Sequence, residues 1–184
     1  MSKLWRWLST IDSLKLVDAL RHGNNGSVLV PYYNNYAKLL PATANILLEK
    51  YGGDPKNIWK NGNISEVRRR LEELPGIGPK LSRMAMLILL RDHGIFGKDA
   101  LPGLDVAPDT HVICVFKRSG LIPRTGAKNR AVAAAITAAR ELHPTFPGEL
   151  DPPAFIIGSN WCHPSNPNCE ECPLVKDCPR KGLV

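Results

Sequence analysis

Helical periodicity broken at short intervals by glycine and proline is the feature that most constrains this chain. Its 184 residues include 15 Gly and 16 Pro, and these fall between apolar segments with helical spacing. Ile11, Leu14, Val17 and Leu20 form one such run, ended by His22-Gly23-Asn24-Asn25-Gly26. A second helix is predicted from about Asn35 to Tyr51, stopped by Gly52-Gly53-Asp54-Pro55. A short basic helix covers 64–74 and contains Arg68, Arg69 and Arg70. Pro79 suits the first position of a further helix that reaches about Arg91. That helix is apolar on most faces, which predicts a central, buried position. Residues 93–108 read as loop, and Asp109 as the N-cap of a helix through Val112, Val115 and Phe116. An alanine-rich helix covers about 127–142, and Pro152-Pro153 opens a last one ending near Trp161. Only Val28 to Tyr33 has strand character. The expectation is an all-α protein.

Composition narrows the function classes. With 43% hydrophobic and 22% charged residues, the chain can build a core. The formal charge of +7 points to an anionic partner. No apolar run approaches the ~20 residues of a membrane span, and Met1-Ser2-Lys3-Leu4-Trp5-Arg6-Trp7 has no signal-peptide core. An intracellular protein without a membrane segment is expected. Lys117, Arg118, Arg124, Lys128, Arg130 and Arg140 lie in a span without an acidic residue, predicting a phosphate-binding flank. Trp5, Trp7, Trp59 and Trp161 are expected to be packing residues.

Four of the five cysteines cluster near the C-terminus. Cys162, Cys169, Cys172 and Cys178 have the spacing Cys-x6-Cys-x2-Cys-x5-Cys. Four thiolates can hold a tetrahedral zinc or a four-iron, four-sulfur cluster. Zinc ribbons usually use two well-separated Cys-x2-Cys pairs, and only one is present. Pro173 and Pro179 each follow a candidate ligand, as in ferredoxin-like runs. The residues alone favour a cluster over zinc, and zinc over free or disulfide-bonded cysteines. Cys114 lies on an apolar helix face and reads as a core cysteine.

Leu74-Pro75-Gly76-Ile77-Gly78-Pro79-Lys80 is a tight turn between two predicted helices. Its glycines admit close backbone approach, and the helix opening at Pro79 presents unpaired N–H groups suited to phosphate. This segment resembles the helix-hairpin-helix signature of the endonuclease III group of DNA glycosylases. The lysine two residues after the second motif glycine is the nucleophile of that group, a role the resemblance carries to Lys80. Ala107-Pro108-Asp109-Thr110-His111-Val112 resembles the Val-Asp-Thr-His-Val segment that holds the second catalytic residue, which falls on Asp109. Pro108 departs from the usual valine. No catalytic role is assigned to His111. Gly76, Gly78, Lys80 and Arg83 take the positions of DNA contacts. The cysteine spacing also matches the family's iron–sulfur loop, so the resemblance implies a [4Fe-4S] cluster on Cys162, Cys169, Cys172 and Cys178. The family's loop between the first two cysteines is usually basic, whereas His163-Pro164-Ser165-Asn166-Pro167-Asn168 has no Lys or Arg.

The resemblance covers roughly residue 28 to the C-terminus. It implies two helical lobes with the DNA site in the cleft between them. Residues 1–105 would carry the hairpin motif (about 65–91), and 106–184 would carry Asp109 and the cluster loop (162–178). The implied function is a base excision repair glycosylase with AP lyase activity. A lysine Schiff base would remove damaged bases, oxidised pyrimidines above all, from a nucleotide flipped out of the duplex. The partner implied is double-stranded DNA carrying damaged bases or abasic sites, bound by a monomer. The family pattern also includes a stretch ahead of the region matching Lys3-Leu4-Trp5. That stretch supplies a helix packed on the cluster domain and a wedge for the gap left by the flipped base, and neither is found in this sequence. A misplaced start, a natural short form and a degenerate copy all fit that observation. Two alternative functions follow: a non-catalytic helix-hairpin-helix DNA-binding protein with a structural cluster, and a zinc-stabilised helical adaptor.

Overall fold

The periodic segments all become helix. The computed structural model describes residues 2–22, 31–124 and 127–182. Among these are eight α-helices, three short 3-10 helices and no strand. Val28, Leu29 and Val30 of the strand-like stretch lie outside the described residues, and Tyr33, its last residue, opens a helix. The chain packs as two compact units, Met1–Gly78 and Pro79–Val184.

In the first unit, α1 (Ser2–Thr10) and α2 (Ser13–Arg21) pack on α3 (Tyr33–Tyr51). Asp12 starts α2 by accepting hydrogen bonds from the Leu14 and Lys15 backbone N–H groups. Leu8, Leu16, Ala37 and Ala44 form the shared core, with Trp5, Ile11, Val17, Leu20 and Leu40 around it. The small side chains at 37 and 44 lie two turns apart on α3 and let the partner helices approach closely. Pro41 lies inside α3, which continues through it although proline supplies no N–H there. Trp7 departs from its expected packing role, since half of its side chain is exposed.

Asn63 and Glu66 form a reciprocal capping box that opens α4 (Ile64–Glu72). Val67 and Leu71 point inward. The three arginines of this helix are engaged within their own unit. Arg68 pairs with Glu72 at 3.9 Å, Arg69 pairs with Glu73, and Arg70 donates to the Ile58 carbonyl at 3.1 Å. The turn after α4 closes when the Ile77 N–H donates to the Leu74 carbonyl at 3.0 Å. Gly76 takes φ +83° there, and a Cβ in its place would lie 2.9 Å from Leu39 Cδ1. Glycine is therefore required twice over, by backbone conformation and by space.

The second unit holds α5 (Pro79–His93), α6 (Thr110–Arg118), α7 (Lys128–Leu142) and α8 (Asp151–Asn160), followed by the cysteine loop. Its core joins Val106, Val112, Val115, Phe116, Ile122, Ala135, Ala138, Ala139 and Ala154. Gly158 lets α8 press on α6, because a Cβ there would lie 2.6 Å from His111 Cβ and 2.8 Å from its carbonyl oxygen. The expected central burial of α5 is corrected. Ser82, Met86 and Leu89 are buried, but Leu81, Met84 and Ile88 are exposed, so the helix has one inward stripe. The packing boundary at Gly78 also falls ahead of the 105/106 boundary expected from sequence. One reason is visible within the second unit, where Leu87 of α5 lies directly against Gly148.

Candidate active site and candidate metal centre

Leu104, Asp105, Val106, Ala107 and Pro108 are all buried, and they deliver Asp109 to the start of α6. Three anchors fix this segment. The Gly148 N–H donates to the Leu104 carbonyl at 2.7 Å. The Arg140 guanidinium grips the Asp105 carboxylate with two bonds, at 2.7 and 2.8 Å. The Ala107 N–H donates to Asp151 Oδ2 at 2.6 Å.

Asp109 is the N-cap expected from sequence: its Oδ1 accepts from the Val112 N–H at 2.9 Å. Its other oxygen lies 3.9 Å from Lys80 Nζ. Two residues far apart in sequence, each at a helix start, are thus brought together within the second unit. Asp109 is largely buried, with 16% of its side chain exposed, whereas Lys80 is 51% exposed. About half of the Lys80 side chain thus remains open to solvent.

Asp151 was not foreseen as part of this site. It opens α8 with its carboxylate between the Ala107 N–H and the fields of Asp109 and Lys80. Burial pushes its carboxyl above the usual 3.8, and the nearby Asp109 charge adds to this; the Ala107 hydrogen bond and Lys80 pull the other way. The available signal was an acid immediately before Pro152-Pro153 at a helix start, where a carboxylate suits the helix dipole. No motif in the sequence tied it to Asp109.

The remaining expected DNA contacts have different settings. Gly76 and Gly78 lie in the first unit, and a Cβ at Gly78 would meet nothing within 4 Å. Arg83 turns back on α5, donating to the Pro79 carbonyl at 3.0 Å, and its Nε is buried without a partner. His111 stacks edge-on against Phe155, with ring centroids 5.5 Å apart, and its Nδ1 is buried and unpartnered.

Cys162, Cys169, Cys172 and Cys178 line one small cavity of about 20 Å³ with Arg118, Trp161, Val175 and Arg180. Among the described residues, no three His, Cys, Asp or Glu side chains are grouped as ligands of a single ion. Cys114 is half-buried beside Cys162, and burial first, then Cys162, pushes its thiol up. Two members of the expected phosphate-binding flank are already committed: Arg118 to the cysteine loop and Arg140 to Asp105. Arg124, Lys128 and Arg130 are exposed. No helix among the described residues is long and apolar enough to cross a membrane.

No family model matches the chain. Three relatives do. Endonuclease III homolog 1 of Arabidopsis thaliana chloroplasts is 30% identical over 154 residues, 82% of this chain and 35% of that protein. Endonuclease III-like protein 1 of Gallus gallus is 29% identical over 174 residues, 92% of this chain and 53% of that protein. Endonuclease III of Thermotoga maritima is 29% identical over 147 residues, 79% of this chain and 57% of that protein. The chain thus spans about a third to just over half the length of these relatives. The fold is also that of a solved non-covalent endonuclease III–DNA complex. The TM-score is 0.65 at 21% identity, covering 95% of this chain and 67% of that one. A trapped covalent endonuclease III–DNA intermediate gives a TM-score of 0.61 at 20% identity, covering 95% and 68%. The chain is thus similar in sequence to endonuclease III relatives and shares the endonuclease III fold.

Proposed function

We propose that this chain is a base excision repair DNA glycosylase with AP lyase activity. Its substrate would be duplex DNA carrying a damaged base, above all an oxidised pyrimidine, or an abasic site. The observation that carries the reading is Lys80 Nζ standing 3.9 Å from the free oxygen of a capped Asp109.

In this reading the Lys80 amine attacks the sugar C1′, and the damaged base leaves with the electron pair of the glycosidic bond. The sugar ring opens to a Schiff base on Lys80, and β-elimination breaks the strand on the 3′ side. Asp109 accepts the amine proton and steadies positive charge on the sugar as the base departs. The cap keeps this carboxylate in one orientation, so its second oxygen faces the amine. A flipped nucleotide entering the site would cover the half of Lys80 that is exposed in the free chain. Asp151 would hold the approach segment through Ala107. The first-turn N–H groups of α5, with Gly76, Gly78 and Arg83, are the proposed phosphate contacts.

The four cysteines are proposed to hold a [4Fe-4S] cluster. Four cysteines lining one cavity, with only one Cys-x2-Cys pair rather than the two of a zinc ribbon, support a cluster over zinc. When bound, the cluster would cross-link the four thiolates and hold the loop folded. Iron and sulfide analysis of anaerobically purified protein separates it from zinc.

Borohydride trapping tests the function on duplex DNA containing an abasic site or thymine glycol. The wild-type chain should form a covalent adduct. Lys80→Ala should lower adduct formation at least about a thousandfold while DNA binding is retained. If iron-loaded protein binds the duplex but forms no adduct on either substrate, the chain is a DNA-binding protein without this chemistry.

A further inference from the structure

The six residues between the first two cysteines carry no Lys or Arg, yet four cysteines holding a metal centre as thiolates would need countercharge and restraint. The structure supplies both from α6. Arg118, the last residue of that helix, reaches the cysteine loop with its guanidinium. Its Nη1 donates to the His163 carbonyl at 2.6 Å and to Cys162 Sγ at 3.4 Å. Its Nη2 donates to the Pro164 carbonyl at 2.8 Å. The main chain of the same residue holds the other end of the loop. Its carbonyl accepts from the Lys181 N–H at 3.0 Å and from the Cys178 thiol at 3.6 Å. One residue therefore touches the first and the last of the four cysteines.

We propose that Arg118 is the positioning residue of the cysteine centre: it closes the loop around the four thiols and supplies a cation that the segment between Cys162 and Cys169 lacks. Arg180 lines the same cavity and is a second cation. The planar fork matters as much as the charge. Two carbonyls and a sulfur are met by nitrogens of one rigid group, which a lysine ammonium on a flexible stem does not reproduce. Held this way, the loop would be slow to release a metal centre bound by its thiols. A hydrogen bond to a ligand sulfur also raises a cluster's reduction potential.

The inference deepens the cluster reading, and its test separates the two. Wild type, Arg118→Ala, Arg118→Lys and, as a charge-matched control, Arg91→Ala are purified anaerobically. Arg91 bonds the neighbouring Asp92 on exposed surface. Iron, sulfide and the rate of visible bleaching by chelator in air are read, with the reduction potential. Arg118→Ala should bleach about tenfold faster than wild type and shift to lower potential. Arg118→Lys should fall between them, and Arg91→Ala should match wild type. Bleaching and potential unchanged in Arg118→Ala would overturn the proposal. Should wild-type protein hold no iron or sulfide, the cluster reading fails, and the clamp is read on the thiols alone. Faster reaction of Cys162 with a thiol reagent in Arg118→Ala then supports it, and an unchanged rate overturns it.

Discussion

The two ends of α6 place chemistry-bearing residues under opposite conditions. At the N-terminal end, Asp109 uses one oxygen for the helix cap and keeps the other 3.9 Å from a half-exposed lysine. At the C-terminal end, Arg118 directs its fork and its carbonyl into four contacts with the cysteine loop and one with Lys181 just beyond it. The first arrangement leaves a carboxylate oxygen and an amine open to a substrate. The second leaves little free and holds a loop shut. The difference follows from what each side chain can do. A short carboxylate can cap and still present an oxygen, whereas a guanidinium meeting several acceptors at once is fixed in place.

The sharpest way to break this comparison is to remove the charge at the open end without touching the cap. Asparagine caps a helix about as well as aspartate. Asp109→Asn should therefore keep the melting temperature within a degree or two. If the free oxygen works on a proton, adduct formation should fall about 10²–10⁴-fold. A comparable loss of stability would mean the carboxylate is chiefly structural, and the two ends of α6 would then be alike.

A smaller effect tests whether the open end is held by the helix alone or by the segment ahead of it. Asp105 is 3% exposed and paired by the Arg140 fork. Arg140→Ala leaves that carboxylate buried without its partner. The expected cost is about 3 kcal/mol, the low end for breaking a buried pair because Arg140 itself is largely exposed. Denaturant unfolding of the full chain measures it. Arg140→Lys should recover part of the loss, since the charge returns without the fork. A cost below about 0.5 kcal/mol would show that water replaces Arg140 and that the segment is held by its other anchors.

How much of this was legible depended on whether a feature is local in sequence. The helices were legible because periodicity and punctuation are local, and Asp109 as a cap was legible because capping spans three residues. Asp109 as partner to Lys80 came from resemblance to a family, since no spacing rule joins positions on two separate helices. Asp151 was missed for the same reason: its significance lies in a hydrogen bond to Ala107, 44 residues away. Arg118 and Arg140 were read as members of a basic surface because sequence shows a charge but not its acceptor. The half-exposed face of α5 was misread because an apolar composition does not say which side a unit covers.

The smallest effect concerns Asp151, and its sign distinguishes burial from hydrogen bonding at the open end. Burial, then the charge of Asp109, raise this carboxyl above its ordinary 3.8. The folded chain therefore holds the proton more tightly than the unfolded chain does. The resulting stability is fully present below 3.8 and is lost as pH rises through the raised folded value. Above that value the ionised carboxylate remains a burden at every pH. Asp151→Asn cannot ionise, and its side-chain oxygen can still accept from the Ala107 N–H. The variant should be at least as stable as wild type at neutral pH, and its advantage should shrink as pH falls towards 3.8. Denaturant midpoints of both proteins across the acid range measure this. A variant less stable than wild type at neutral pH would reverse the assignment: the 2.6 Å bond from Ala107 to a charged oxygen would then outweigh the cost of burying it. In that case Asp151 is a second ionised anchor for the segment carrying Asp109, and the open end of α6 is held by charge much as the closed end is.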